Sequence, residues 1–144
     1  MGATAKIVEA LGGRDVGDKP VNSPEELKAW IREGLPFASL ERVMERFGLN
    51  REEISSALDL PARTLARRKQ ERRLRRDESD RLFRLVRIAE QATQVLGSRD
   101  KASLWLHTSN RALGGQPPLT LLDTDLGARQ VEEILGRIEY GVYS

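Results

Sequence analysis

The chain of 144 residues contains no cysteine, which removes disulfides, thiolate metal sites and a thiol nucleophile together. A single histidine, His107, has no partner at metal-ligand spacing, and one lone imidazole is poor grounds for catalysis. Nowhere does an apolar run approach the ~20 residues that span a bilayer. The opening MGATAKIVEALGG lacks the apolar core and small-residue cleavage site of a secretory leader. Phosphate loops, nucleophile elbows and zinc signatures are missing too, and the adjacent Glu132 and Glu133 diverge by about 100° on a helix. These absences point to a cytoplasmic protein with no enzymatic activity, no cofactor and no metal. Aromatics are also scarce, at 5%, yet both tyrosines fall within the last five residues of the closing octapeptide, RIEYGVYS.

Charge is abundant and unevenly placed. The net value is only +2, but residues 61–76 (PARTLARRKQERRLRR) hold eight bases against the single acid Glu71. That segment is +7 and the remainder −5, a distribution suited to a polyanionic partner or to a solvated helix face. From Pro117 onward the balance is −3, ill suited to DNA.

Apolar spacing predicts an all-α chain. Ser23, Pro24 and Glu26 read as an N-cap, an N1 proline and a capping box, with Leu27, Trp30 and Ile31 at helical spacing up to Gly34. Leu40, Val43, Met44 and Phe47 mark the next helix. Asn50 with Glu53 opens a short third one lined by Ile54, Ala57 and Leu58. Pro61 starts another, anchored by Leu65. A longer helix capped by Asp77 or Ser79 carries Leu82, Leu85, Val86, Ala89 and Leu96 inward to Gly97. A helix from Ser98 contains Leu104, Trp105 and Leu106; GGQPPL is a loop, and Leu119, Leu121 and Leu122 must dock or form a patch. Thr124 or Asp125 caps the last helix, whose stripe is Val131, Ile134, Leu135 and Ile138. The expected division is 1–22, an N-terminal extension; 23–90, a DNA-binding domain; and 91–144, a second module. In the extension, Ile7, Val8 and Leu11 suggest a short helix for docking on a second protomer.

LNREEISSALDLPARTLARR, residues 49–68, has the makings of a helix-turn-helix. Small Ser55, Ser56 and Ala57 permit a close crossing, Asp59 fills the turn position that needs positive φ, and Leu60 and Leu65 pin the second helix. The pattern resembles the lambda-repressor-like, Xre-type DNA-binding domains. The resemblance places the second helix in the major groove, with Arg63, Thr64, Arg67 and Arg68 facing base edges. Lys69, Arg72, Arg73, Arg75 and Arg76 would neutralise phosphates, and a homodimer would read a palindrome.

The C-terminal order Trp-Leu…Asn-x-Ala-Leu-Gly-Gly-x-x-Pro-Leu-x-Leu-Leu-x-Thr-x-x-Gly, followed by Arg-Ile-Glu-Tyr-Gly-Val-Tyr-Ser, resembles the toxin-binding domain of Xre–MbcA–ParS antitoxins. Trp105, Asn110, Gly114, Gly115, Pro118, Leu122, Thr124, Gly127 and Arg137 fall in register, whereas Ser109 stands where the family often has proline. This resemblance implies a bacterial type II antitoxin that silences a RES-type, NAD-degrading toxin and represses its own operon. Arg137, Glu139, Tyr140, Gly141, Val142, Tyr143 and Ser144 are then the expected toxin contacts, the last four as a narrow probe entering the toxin's cleft. Tyrosine's apolar ring and polar tip suit an interface, although Tyr140 and Tyr143 could equally fold back on Leu121 and Trp105. The rival reading is a free-standing repressor whose C-terminal part only dimerises.

Overall fold

In a computed structural model, which describes residues 2–17 and 19–141, the chain folds into eight α-helices with no strand among the described residues. They are α1 (Ala3–Ala10), α2 (Pro24–Glu33), α3 (Phe37–Phe47), α4 (Arg51–Ala57), α5 (Ala62–Glu71), α6 (Arg76–Leu96), α7 (Arg99–His107) and α8 (Asp125–Glu139). The expected all-α class is thus the observed one.

Local chemistry explains the boundaries. Ser23 caps α2 by accepting from the Glu26 N–H at 3.1 Å, and Glu26 reaches back to the Asn22 N–H at 2.9 Å. Asn50 and Glu53 form a complete capping box on α4, at 2.8 and 2.9 Å. Ser98 and Thr124 cap α7 and α8. The start of α6 differs from expectation: neither Asp77 nor Ser79 caps it. Arg75 holds the cap position, and the Glu78 carboxylate takes its N–H at 2.8 Å. Ser79 lies fully buried inside the helix, donating to the Arg75 carbonyl at 2.8 Å and accepting from the Leu35 N–H at 2.7 Å. A hydroxyl one turn further in found a tertiary partner, which local capping rules cannot anticipate.

Helix α6 is the spine. Leu82, Leu85, Val86, Ile88, Ala89 and Ala92 are buried along one broad face of it, and the helix packs against α1, α2, α3, α7 and α8. An apolar stripe this wide lets one helix serve several neighbours at once. Helix α1 docks on α6 of its own chain through Ile7, Val8 and Leu11, so this surface is not held for a second protomer. One continuous core therefore runs from α1 to α8.

GGQPPL is not wholly irregular. Asn110 and Gln116 form an isolated bridge, and Pro118–Leu121 makes a 3-10 turn that buries Leu119, with Leu122 buried just after it. Ile138 is half-exposed instead of buried, because α8 outruns the core at its last turn. The first turn of α8 presses so closely on the 3-10 segment that a Cβ on Gly127 would stand 2.1 Å from the Leu121 carbonyl oxygen. Gly127→Ala should accordingly destabilise the fold by about 1–3 kcal/mol, read as a lower midpoint in urea or thermal unfolding. Gly136→Ala, where nothing lies within 4 Å, should be neutral or stabilising.

Candidate nucleic-acid interface and C-terminal module

Helices α4 and α5 are joined by a tight turn in which Asp59 takes φ +52°. The Leu60 N–H bonds the Ser55 carbonyl at 2.9 Å, and the Ser55 hydroxyl donates to the Leu60 carbonyl. Arg81 of α6 donates to the Leu58 carbonyl at 2.9 Å, tying the turn to the spine. Leu58, Leu60 and Leu65 are buried, leaving the opposite face of α5 in solvent. This is a helix-turn-helix.

Periodicity sorts α5. At 100° per residue, Arg63, Ala66, Arg67 and Gln70 share one outward stripe, and all four are exposed. Thr64 sits half-buried at one edge and Lys69 exposed at the other. Gln70 was missed by the sequence reading, which followed charge; its spacing of three from Arg67 and seven from Arg63 was the available signal.

Arg68 does not join them. Only 4% exposed, it turns inward against Glu78, likewise 4% exposed, with Nε and Nη2 donating to the two carboxylate oxygens at 2.7 and 2.9 Å. Nη1 also reaches Glu71 at 3.3 Å. The hydrogen bonds to Glu78 raise the guanidinium pKa, against the lowering effect of burial. Its expected role in base contact is corrected: this arginine clamps α5 onto α6. Arg72 closes α5 in a left-handed conformation and is exposed. Arg73 is exposed but already donates to the Glu33 carbonyl at 3.1 Å, closing the end of α2.

The C-terminal module is held to α6 from two directions. Arg84 donates to the Leu122 carbonyl at 3.0 Å, and Arg87 grips Glu132 with two bonds of 3.1 Å. His107 bridges to α4, its Nε2 lying 3.0 Å from Glu53 and its Nδ1 2.7 Å from the Ser103 carbonyl. Its imidazole is thereby engaged in packing one module on the other. On α8, Arg137 pairs with Glu133 at 2.6 Å, while Glu139 is exposed. Tyr140 ends the helix 78% exposed, so it does not fold back on Leu121 or Trp105. Gly141 follows at φ +68°, and Val142, Tyr143 and Ser144 lie outside the described residues. Leu104, Leu126 and Tyr140 are the large exposed apolar side chains among the described residues, and all three are in this module.

A helix-turn-helix with a basic outward stripe, joined by one helix to a module with an acidic C-terminal stretch and exposed apolar side chains, is the architecture of a DNA-binding regulator with a second, protein-facing half. The comparisons with known proteins agree. Residues 26–87 match the antitoxin Xre-like helix-turn-helix domain, and residues 91–141 match the antitoxin Xre/MbcA/ParS C-terminal toxin-binding domain. Antitoxin Xre of Photorhabdus laumondii is 32% identical over 87% of this chain and 86% of its own. The Yersinia enterocolitica antitoxin Xre is 32% identical over 91% and 89%, and that of Pseudomonas putida 36% over 81% and 72%. The chain belongs to the Xre family of antitoxins. It combines a helix-turn-helix with a toxin-binding domain and is a regulatory protein, not an enzyme. A free-standing repressor with a mere dimerisation module is thereby set aside. No helix among the described residues is long and apolar enough to cross a membrane.

Breaking a buried ion pair by deleting one partner strands the other charge, at a cost of about 3–5 kcal/mol. Arg68→Ala should lose that much stability in chemical denaturation. Arg68→Met combined with Glu78→Gln, which keeps an acceptor for the Arg75 N–H, should recover most of it. An Arg68→Ala protein as stable as the parent would refute the clamp.

Proposed function

We propose that this antitoxin neutralises a RES-type, NAD-degrading toxin by occluding its active site with the segment from Arg137 to Ser144, and represses its own operon as a homodimer in the bacterial cytoplasm. Residues 23–90 serve the DNA and 91–144 the toxin. The observation that carries this reading is the separation of two exposed surfaces. One is the basic stripe of α5; the other is the acidic C-terminal stretch from Pro117, whose helix ends in an uncovered tyrosine before a left-handed glycine.

On the DNA side, Arg63 and Arg67 point toward base edges, where a guanidinium grips guanine bidentately; Gln70 on the same stripe suits adenine. Thr64 lies at the edge of that footprint. Lys69, Arg72, Arg73, Arg75 and Arg76 flank it and neutralise phosphates. Each bidentate base contact is worth about 1–3 kcal/mol. Arg63→Ala with Arg67→Ala should therefore abolish operator shifts at moderate salt while leaving toxin binding intact. Sequence-specific shifts that persist in the double variant would displace α5 from the groove.

On the toxin side, the ring of Tyr140 offers a large apolar surface with a polar tip. Gly141 lets the chain turn off the helix, and Val142, Tyr143 and Ser144 extend this contact surface with a second aromatic ring and a hydroxyl, chemistry suited to a nucleotide-binding cleft. The Arg137–Glu133 pair and Glu139 form its rim. Co-expression of the toxin with a chain ending at Tyr140 should leave cells arrested and NAD depleted, whereas the full chain restores both. Full protection by the truncated chain would remove the probe from the mechanism.

A further inference from the structure

Helix α8 has an outward side that its own core does not use. Ala128, Val131, Ile134 and Leu135 turn inward and are buried. At 100° per residue, Leu126, Arg129, Gln130, Glu133, Arg137 and Tyr140 fall within one arc about 100° wide on the opposite side. All six are exposed. Leu126 and Tyr140, at 71% and 78% exposure, stand at the two ends of this ridge. They are separated by about 21 Å at the usual helical rise.

Between the two ends the charges are matched within the helix. Arg129 pairs with Asp125 at 2.9 Å and Arg137 with Glu133 at 2.6 Å, each one turn away. Gln130 is neutral. The ridge therefore offers a partner two apolar anchors joined by a middle of little net charge. Nothing in that pattern attracts DNA, whereas it suits the helix-in-groove mode of protein recognition.

Position says which protein. The ridge lies wholly within residues 91–141, the stretch matching the toxin-binding domain. It also runs straight into Tyr140 and Gly141, where the proposed occluding segment leaves the helix. A toxin whose cleft receives that segment must lie against the adjoining turns of α8. The physics favours such a dock. A short chain end entering a cleft buries little area and loses its own freedom on ordering. A preformed helical surface that already holds the toxin makes the entry intramolecular, at a high effective concentration.

We propose that the outward ridge of α8, anchored by Leu126 and Tyr140, captures the toxin in a contact separate from the one that silences it. Capture and occlusion are then two functions, and Leu126 belongs to the first alone. This inference rests on the toxin reading above and adds to it the docking surface.

The test uses the full chain and the RES-type toxin encoded beside it. Affinity is measured by titration calorimetry, and NAD hydrolysis by the toxin is followed at saturating antitoxin. Leu126→Glu places an acid in the first turn of α8, where the helix dipole favours it, so the fold should persist. This variant should bind toxin at least roughly tenfold more weakly than the parent, yet still silence it at saturation. Its operator shifts should be unchanged. A chain ending at Tyr140 should bind more tightly than Leu126→Glu but leave the toxin hydrolysing NAD. Parent-like affinity in Leu126→Glu would overturn the ridge and leave occlusion standing. Silencing by the truncated chain at saturation would overturn occlusion and leave the ridge standing. A parent that does not bind this toxin would overturn both. Loss of affinity in Leu104→Glu, on α7, with none in Leu126→Glu would move the dock to α7. Sedimentation in which Leu126→Glu dissolves a dimer of the parent would assign the ridge to a second copy instead.

Discussion

The buried bidentate pair between Arg68 and Glu78 is the contact on which the arrangement turns. It joins the helix offered to DNA to the first turn of the helix that organises everything else. Glu78 does two jobs there, since the carboxylate that receives the guanidinium also satisfies the Arg75 N–H at the start of α6. Buried ion pairs add little net stability over a well-packed apolar pair, but an uncompensated member is severely destabilising. Such a pair tolerates few geometries, and α5 is thereby held in one rotation about its axis. Arg63, Arg67 and Gln70 face outward because Arg68 and Leu65 face in.

From that clamp α6 runs 21 residues, about 30 Å at the usual rise, and meets the C-terminal module through Arg84 and Arg87. No flexible linker lies between the DNA-facing and toxin-facing halves, because a single uninterrupted helix belongs to both. The His107–Glu53 contact adds a second tie, from α7 to α4. Strain imposed on α8 has a direct route to the seat of α5. This is a physical basis on which toxin occupancy and DNA affinity can be coupled, and any such coupling must be reciprocal.

Much of the molecule was legible in its residues. Capping boxes at Ser23–Glu26 and Asn50–Glu53, the glycines that end α3 and α6, and the need for positive φ at Asp59 are local rules acting over four or five residues. They were read correctly because the physics behind them is equally short-ranged. The C-terminal motif was legible for another reason. Gly127, Thr124 and Pro118 satisfy one crowded crossing, where the α8 cap, the 3-10 turn and a close backbone approach constrain one another.

What stayed hidden depends on contacts distant in sequence. Charge alone marked Arg68 as a DNA ligand; its spacing of three from Leu65 sets it toward the inner face of α5, but only Glu78, ten residues on, supplies the partner that holds it inside. Ser79 looked like a cap until Leu35, forty-four residues earlier, claimed its hydroxyl. The first helix carries an apolar face, but whether that face meets a partner or its own α6 is a question of which surface lies nearest after folding. By itself, then, the sequence determined the helices, most of their ends, the family, the basic segment and the acidic C-terminal stretch, since these follow from neighbours along the chain. The tertiary structure alone decided which arginines reach solvent and where the N-terminal helix rests. Those outcomes come from packing, where burial and partner geometry overrule the character of any single side chain.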